Sequence, residues 1–185
     1  GDSEISEGGV SESFDLEQGF GLQGGFEIGD YVMVMGRHVS LDYEDDEDFF
    51  VEADNVVFND MTFIGVGAHL PVADMIALYG AVGFSRPTFT GFASEGYGLE
   101  VGARAHFDMV TASLWYNMGQ TDTKIGTDSL DIDPELLGLD VAISFAPDAP
   151  ELVLGYVDAT HELEIDNDKL DLDYDHFSIG VRKSF

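Results

Sequence analysis

Apolar and polar residues alternate with period two over most of the chain. Residues 14–28 read FDLEQGFGLQGGFEI, in which Phe14, Leu16, Phe20, Leu22, Phe26 and Ile28 share one parity. Asp15, Glu17, Gly19, Gly21, Gln23, Gly25 and Glu27 share the other. A strand sends two such sets to opposite faces, whereas a helix would scatter both around its circumference. The same alternation sets Tyr97, Leu99, Val101, Ala103, Ala105 and Phe107 against Glu100, Gly102, Arg104 and His106. It sets Leu137, Leu139, Val141, Ile143 and Phe145 against Gly138, Asp140, Ala142 and Ser144, and Phe177, Ile179, Val181 and Phe185 against His176, Ser178, Gly180, Arg182 and Ser184. Weaker alternation covers 31–44, 61–70, 75–86, 110–120 and 151–161, which brings the predicted strands to nine. Each approaches the ~9–11 residues that a tilted strand needs to cross a bilayer. Pro71, Pro87, Pro134, Pro147 and Pro150 fall between these segments or at their ends, where a missing ladder N–H is harmless.

The connections are expected to alternate in length. Short ones lie at Gly29-Asp30, Pro71 to Asp74, Asp108-Met109 and Ala146 to Pro150; long ones lie at 45–60, 87–96, 121–136 and 162–174. The long ones hold most of the acid, as in YEDDEDFFVEADN and DNDKLDLDYD. Short periplasmic turns and long external loops are the pattern of an outer-membrane barrel. Closure favours an even strand count, and an exported chain is expected to start in the periplasm. Both arguments place a further strand at 4–12 (EISEGGVSE), although Ile5 and Val10 are its only large apolar residues. The predicted fold class is therefore all-β, a transmembrane antiparallel up-and-down β-barrel forming one domain over 1–185, with ten strands preferred over eight.

Composition narrows the function classes. Asp and Glu number 37 against 7 Lys and Arg, a net charge of −30 that repels phosphate and argues against nucleic-acid binding. The absence of Cys removes disulfides, thiolate metal sites and Cys nucleophiles. A hydrophobic content of 44% is too high for acidic disorder. No apolar run reaches the ~18 residues of a transmembrane helix, and any export signal is expected to have been removed. The polar parity is rich in small residues (Gly19, Gly21, Gly25, Gly98, Gly102, Gly138 and Gly180), which suit a crowded lumen better than a solvated face. Tyr31, Tyr43, Tyr97, Phe107, Tyr116, Phe145, Tyr156 and Phe185 fall near strand ends, as aromatic girdles do.

The C-terminal SIGVRKSF resembles the closing strand of Gram-negative outer-membrane proteins. GFGLQGGFEIGDYVMVMG, FIGVGAHLP and GYGLEVGARAHF resemble small porin-like barrels of the OmpA and OmpX type. The resemblance implies an outer-membrane location with long loops outside and the C-terminus in the periplasm. It implies contact with outer-membrane lipid and lipopolysaccharide, and makes Phe185 part of the signal read by the barrel-assembly machinery. It is silent on activity.

Glu17, Glu27, Glu100, Arg104, His106, Asp140, His176 and Arg182 share the lumen parity. They form either an ion-conducting lumen or a salt-bridged plug; the narrow interior of an eight- to ten-stranded barrel favours the plug. His176-Phe177-Ser178 is an H-x-S spacing similar to that of outer-membrane lipid A deacylases, but no Asp or Glu follows Ser178 to orient a base. Asp166, Asp168, Asp171 and Asp173, and the run from Glu44 to Asp48, are weak divalent-ion candidates. Calcium wants six to eight oxygens and, in its best-known loop, a sharp Gly turn that DNDKLDLDYD lacks, so no cofactor is expected beyond loosely bound Ca or Mg. Arg37 is anomalous. It shares parity with Tyr31, Met33, Met35, Val39, Leu41 and Tyr43, the expected lipid face, where Arg at the midplane costs about 2–4 kcal/mol. A bulge near Gly36 is the preferred resolution and a protein partner covering that wall the other; Asp158 poses the same question. The expected function is a non-enzymatic barrel with a plugged lumen and acidic external loops, in a structural or surface-interaction role, including as a subunit of a larger envelope complex. The alternatives are a small cation-preferring pore and, more remotely, a lipid-modifying enzyme.

Overall fold

A computed structural model describes residues 2–7, 10–29, 31–43, 58–89, 91–125, 128–146, 149–165 and 168–184. These form β1 (Asp2–Glu7), β2 (Val10–Ile28), β3 (Val32–Tyr43), β4 (Phe58–Ala73), β5 (Ile76–Phe89), β6 (Phe92–Ala93), β7 (Glu95–Phe107), β8 (Val110–Ile125), β9 (Asp128–Ile143), β10 (Glu151–Ile165) and β11 (Asp168–Ser184). All belong to one sheet that returns on itself. Ten strands make the ring, and the two-residue β6 is appended to β5. The β2–β3, β4–β5, β7–β8 and β9–β10 connections lie at a lower rim, and the opposite strand ends form an upper rim. Gly29 (φ 70°) and Asp108 (φ 53°) supply left-handed backbone that tight lower turns use.

The ring is mostly, not wholly, antiparallel. β1 runs antiparallel between β11 and β2, but reaches only their upper halves. Below it β2 and β11 pair directly, from Gly19 opposite Ser178 to Gly25 opposite Ser184, and in parallel. Nine long strands that alternate in direction must bring the first and last together in the same sense. The outward-running strand expected at 4–12 is thus confined to Asp2–Glu7, and Val10 onward already belongs to β2.

Two expected long loops are strands. β8 continues to Ile125 and β9 begins at Asp128; β10 continues to Ile165 and β11 begins at Asp168. The acid that was expected in loops lies along these extensions, while residues 44–57 are outside the described set. Prolines also enter strands. Pro71 sits at a register shift in β4, Pro87 faces inward on β5, and Pro134 lies within β9 where the β8 ladder is interrupted at Gly119 and Gln120. A missing N–H is tolerated at such gaps.

The reason the extensions escape a sequence reading is a change of sign. Even-numbered residues of β9 face inward from Leu130 to Ala142 without a slip. Its lower half exposes Leu137 and Leu139 and buries Gly138 and Asp140; its upper half exposes Asp131, Asp133 and Glu135 and buries Leu130, Ile132 and Leu136. β10 repeats the switch. Leu154 is outside low down, then Asp158, Thr160 and Glu164, with Ala159, His161 and Leu163 within. The lower ring therefore has an apolar outside and an inside that mixes charged and polar groups with Met33, Met35 and Val153, while the upper ring is acidic outside and apolar within. The apolar outer zone runs from Ile76 to Phe84 on β5, Tyr97 to Phe107 on β7, Val110 to Met118 on β8 and Phe177 to Val181 on β11. The apolar core sits inside the upper half, where Phe63, Phe89, Leu130, Ile132, Leu136 and Leu163 pack together.

Candidate lumenal site

At mid-height the inward side chains of β3, β5, β7, β8 and β9 converge on Arg37. Its Nη2 and Nε donate to Glu100 Oε1 and Oε2 at 3.1 and 3.3 Å, a two-pronged pair. Its Nη1 donates to Asp140 Oδ2 at 3.1 Å. Glu100 is 0% exposed, Asp140 3% and Arg37 8%. One guanidinium cannot neutralise two carboxylates, and neutral donors share the second charge. Tyr79 Oη donates to Glu100 Oε1 at 3.1 Å and Asn117 Nδ2 to Oε2 at 3.4 Å. Trp115 Nε1 and Gln23 Nε2 donate to Asp140 Oδ2 at 2.9 and 3.1 Å. The Arg37 guanidinium carbon lies 3.7 Å from the centre of the Trp115 ring, within cation–π range. A buried charge survives only when paired and hydrogen-bonded, and this cluster meets that condition.

Glycine makes room for the rings. A Cβ on Gly138 would lie 2.1 Å from the Trp115 ring, and one on Gly102 would lie 2.6 Å from the Tyr79 ring. Gly138 pairs with Trp115 across β8 and β9, so the small residue and the large one are register partners. Gly138→Ala is expected to displace Trp115 and cost about 1–3 kcal/mol, the usual range for overpacking. Gly21→Ala, whose Cβ would meet Ser178 at an ordinary 3.7 Å, is expected to be near neutral. Urea unfolding of both variants, followed by the fluorescence of the single Trp, checks the contrast.

Arg37 is not on the outer face. Met33, Met35 and Val39 point inward with it, and β3 pairs continuously through Gly36 on both sides. Neither a bulge at Gly36 nor a partner outside the wall is needed, because this parity of β3 is interior from Met33 to Val39. Its inward neighbours across the sheet are Gln23 and Phe63. Asp158 does face out, at the upper edge of the apolar zone, between Leu137 on β9 and Asp175 on β11.

The other sequence-predicted residues separate. Arg182 is 4% exposed and its Nε donates to Glu151 Oε2 at 2.6 Å. Arg104 lies 5.7 Å from the Tyr79 ring centre. His176 is buried higher up. His106, expected in the lumen, is exposed at the lower rim, with Nδ1 2.9 Å from Thr111 Oγ1. Its strand simply ends there, one residue before the turn. Ser178 is half-buried, two positions from His176 on the inward face of β11. The side chains of Glu17 and Glu27 lie outside the described ones, as do Phe185, Asp166 and the run from Glu44 to Asp48. Asp168 and Asp171 are placed by backbone only, on β11; Asp173 is exposed and accepts from Thr160 Oγ1 at 2.7 Å. Among the described residues no group of three or more His, Asp or Glu is arranged to hold a metal ion.

Gln23, Tyr79, Trp115 and Asn117 are the members of this network that sequence reasoning missed. Trp115 and Asn117 alternate with Leu114, Tyr116 and Met118, so their inward parity was available; a ring facing Gly138 was the further clue. Between this network and the lower rim lies a cavity of about 380 Å³, walled by Met33, Met35, Tyr79, Arg104 and Arg182 and floored by Arg37. No family model, curated protein or solved structure matches the chain.

Proposed function

We propose that the ring is a small outer-membrane β-barrel of the porin-like type, non-enzymatic, with a closed lumen and the upper rim outside the cell. The observation that carries this reading is the switch of polarity across the wall at one height. A water-soluble ring has no use for large apolar side chains on its lower outside. Contiguous exposed apolar surface of this extent marks a membrane or protein interface. Ile76 to Phe84, Tyr97 to Phe107 and Val110 to Met118 each match the ~9–11 residues of a tilted membrane-crossing strand. Above the belt, water is the outer solvent again, so acid moves outside and apolar residues inside.

What supports a closed lumen is the stack of the Arg37 network under the upper apolar core. What supports a surface-interaction role is the acidic outer collar. In it Asp122 faces Asp131, Glu162 faces Asp133, and Asp158 faces Asp175 across neighbouring strands. Directly opposed like charges destabilise a sheet, and cationic partners, including divalent ions that bridge to lipopolysaccharide phosphates, relieve that repulsion. The test is a planar-bilayer recording of the refolded chain, preceded by flotation with lipid vesicles. Flotation followed by electrical silence is expected. Steady cation-selective steps would overturn the closed lumen, and recovery of folded chain in the aqueous fraction would overturn the membrane reading.

A further inference from the structure

The lower cavity is chemically unlike the rest of the chain. Three of the seven Lys and Arg line it (Arg37, Arg104 and Arg182), and no Asp or Glu among the described side chains does. The carboxylates that balance Arg37 sit behind it, each hydrogen-bonded to further donors. Glu151 holds only the Nε of Arg182, and the buried Nη1 of that guanidinium has no partner. Arg104 makes no ion pair among the described residues, its Nε is buried and unpartnered, and it shares the cavity with the like charge of Arg182. Ser113 Oγ, 3% exposed on the same wall, is also unpartnered. Buried donors of this kind are satisfied in folded proteins by protein, by water or by a ligand. Met33, Met35 and Ala77 supply apolar wall between them.

We infer that this cavity binds a small organic oxyanion, a carboxylate or phosphate monoester carrying a compact apolar body, that enters from the lower rim. The volume lies within the ~300–1,000 Å³ range of small-molecule sites. Exposure increases along β7 from Glu100, which is buried, through half-buried Arg104 to exposed His106, which is the direction of entry. The oxyanion accepts from the free guanidinium N–H groups of Arg104 and Arg182 and from Ser113, and quenches the repulsion between the two arginines. The apolar body lies against Met33 and Met35. The inference rests on the interior of the ring and holds wherever the ring resides, so its failure is separable from failure of the membrane reading.

The test is calorimetric titration of the folded chain with benzoate and with phenyl phosphate, with benzylammonium as cation control and acetate and inorganic phosphate as controls without an apolar body. Either aromatic anion is expected to bind saturably, more tightly than its small control, and the cation not to bind. Whichever of the two wins names the headgroup. Arg104→Gln should weaken binding by about tenfold or more, the loss of one charge-assisted hydrogen bond. Arg104→Lys should retain most of it, and Arg86→Gln, an exposed arginine outside the ring, should change nothing. Arg104→Met, which keeps a long stem beside Tyr79, serves if the Gln variant does not fold. No saturable heat with either aromatic anion, equal binding of benzylammonium, or unchanged affinity in a folded Arg104 variant would each overturn the inference.

Discussion

Arg37→Met is expected to destabilise the folded chain by about 3–5 kcal/mol, the range for removing one partner of a buried ion pair. The size follows from what remains. Glu100 and Asp140 stay in place, nearly inaccessible to water, facing each other across the space the guanidinium filled. Tyr79, Asn117, Trp115 and Gln23 still donate to them, but four neutral donors cannot compensate two anions. The variant should unfold at lower urea, and Trp115 should lose the cation that stacks on its ring. A triple variant, Arg37→Met with Glu100→Gln and Asp140→Asn, should recover most of the loss, because it removes the buried charge instead of stranding it. If the single variant unfolds where the wild type does, the three groups are not a coupled network. If the triple variant is as unstable as the single one, the cost lies in shape rather than charge.

That network also shows what a period-two reading resolves. Glu100, Asp140 and Arg182 were legible as interior because their neighbours in sequence are unmistakably apolar, as with Leu99 and Val101 around Glu100. Arg37 was not legible, because the stretch before it, Val32 to Met35, is apolar on both faces of β3. Val32 and Val34 line the outside, while Met33, Met35 and Val39 line a cavity wall and the upper core. Alternation alone gives two faces without saying which is in; only register against Gln23 and Phe63 decides it. The upper extensions failed for the opposite reason. Their alternation is strong, as in DSLDIDPEL, but acid occupies the outer positions and so resembles a loop. Acid is tolerated there because water, not an apolar medium, meets that height of the wall under the membrane reading. The parallel seam between β2 and β11 has no local signature, since pairing partners so far apart in sequence depend on how much of the ring β1 fills.

Leu114→Arg is expected to cost about 2–4 kcal/mol in a bilayer, falling to about 0–1 kcal/mol for the same residue placed near the interface. Leu114 is exposed on the outer face of β8, midway between Val110 and Met118, with Ala103 and Leu139 beside it in the sheet. Thr160→Arg supplies the comparison. Thr160 is equally outward, but it lies between Glu135 and Asp173, where a cation meets two acids. The second variant should therefore be neutral or slightly stabilising, and the difference between the two should appear only when the chain is folded into lipid vesicles. A solvated outer wall makes the opposite forecast, since replacing an exposed leucine by arginine in water changes stability by less than about 0.5 kcal/mol. Reversible urea titration of both variants in vesicles measures the gap directly. A depth-dependent penalty of several kcal/mol places lipid against β8; equal stabilities would leave the apolar zone to a protein partner, because surface of that size does not stay bare.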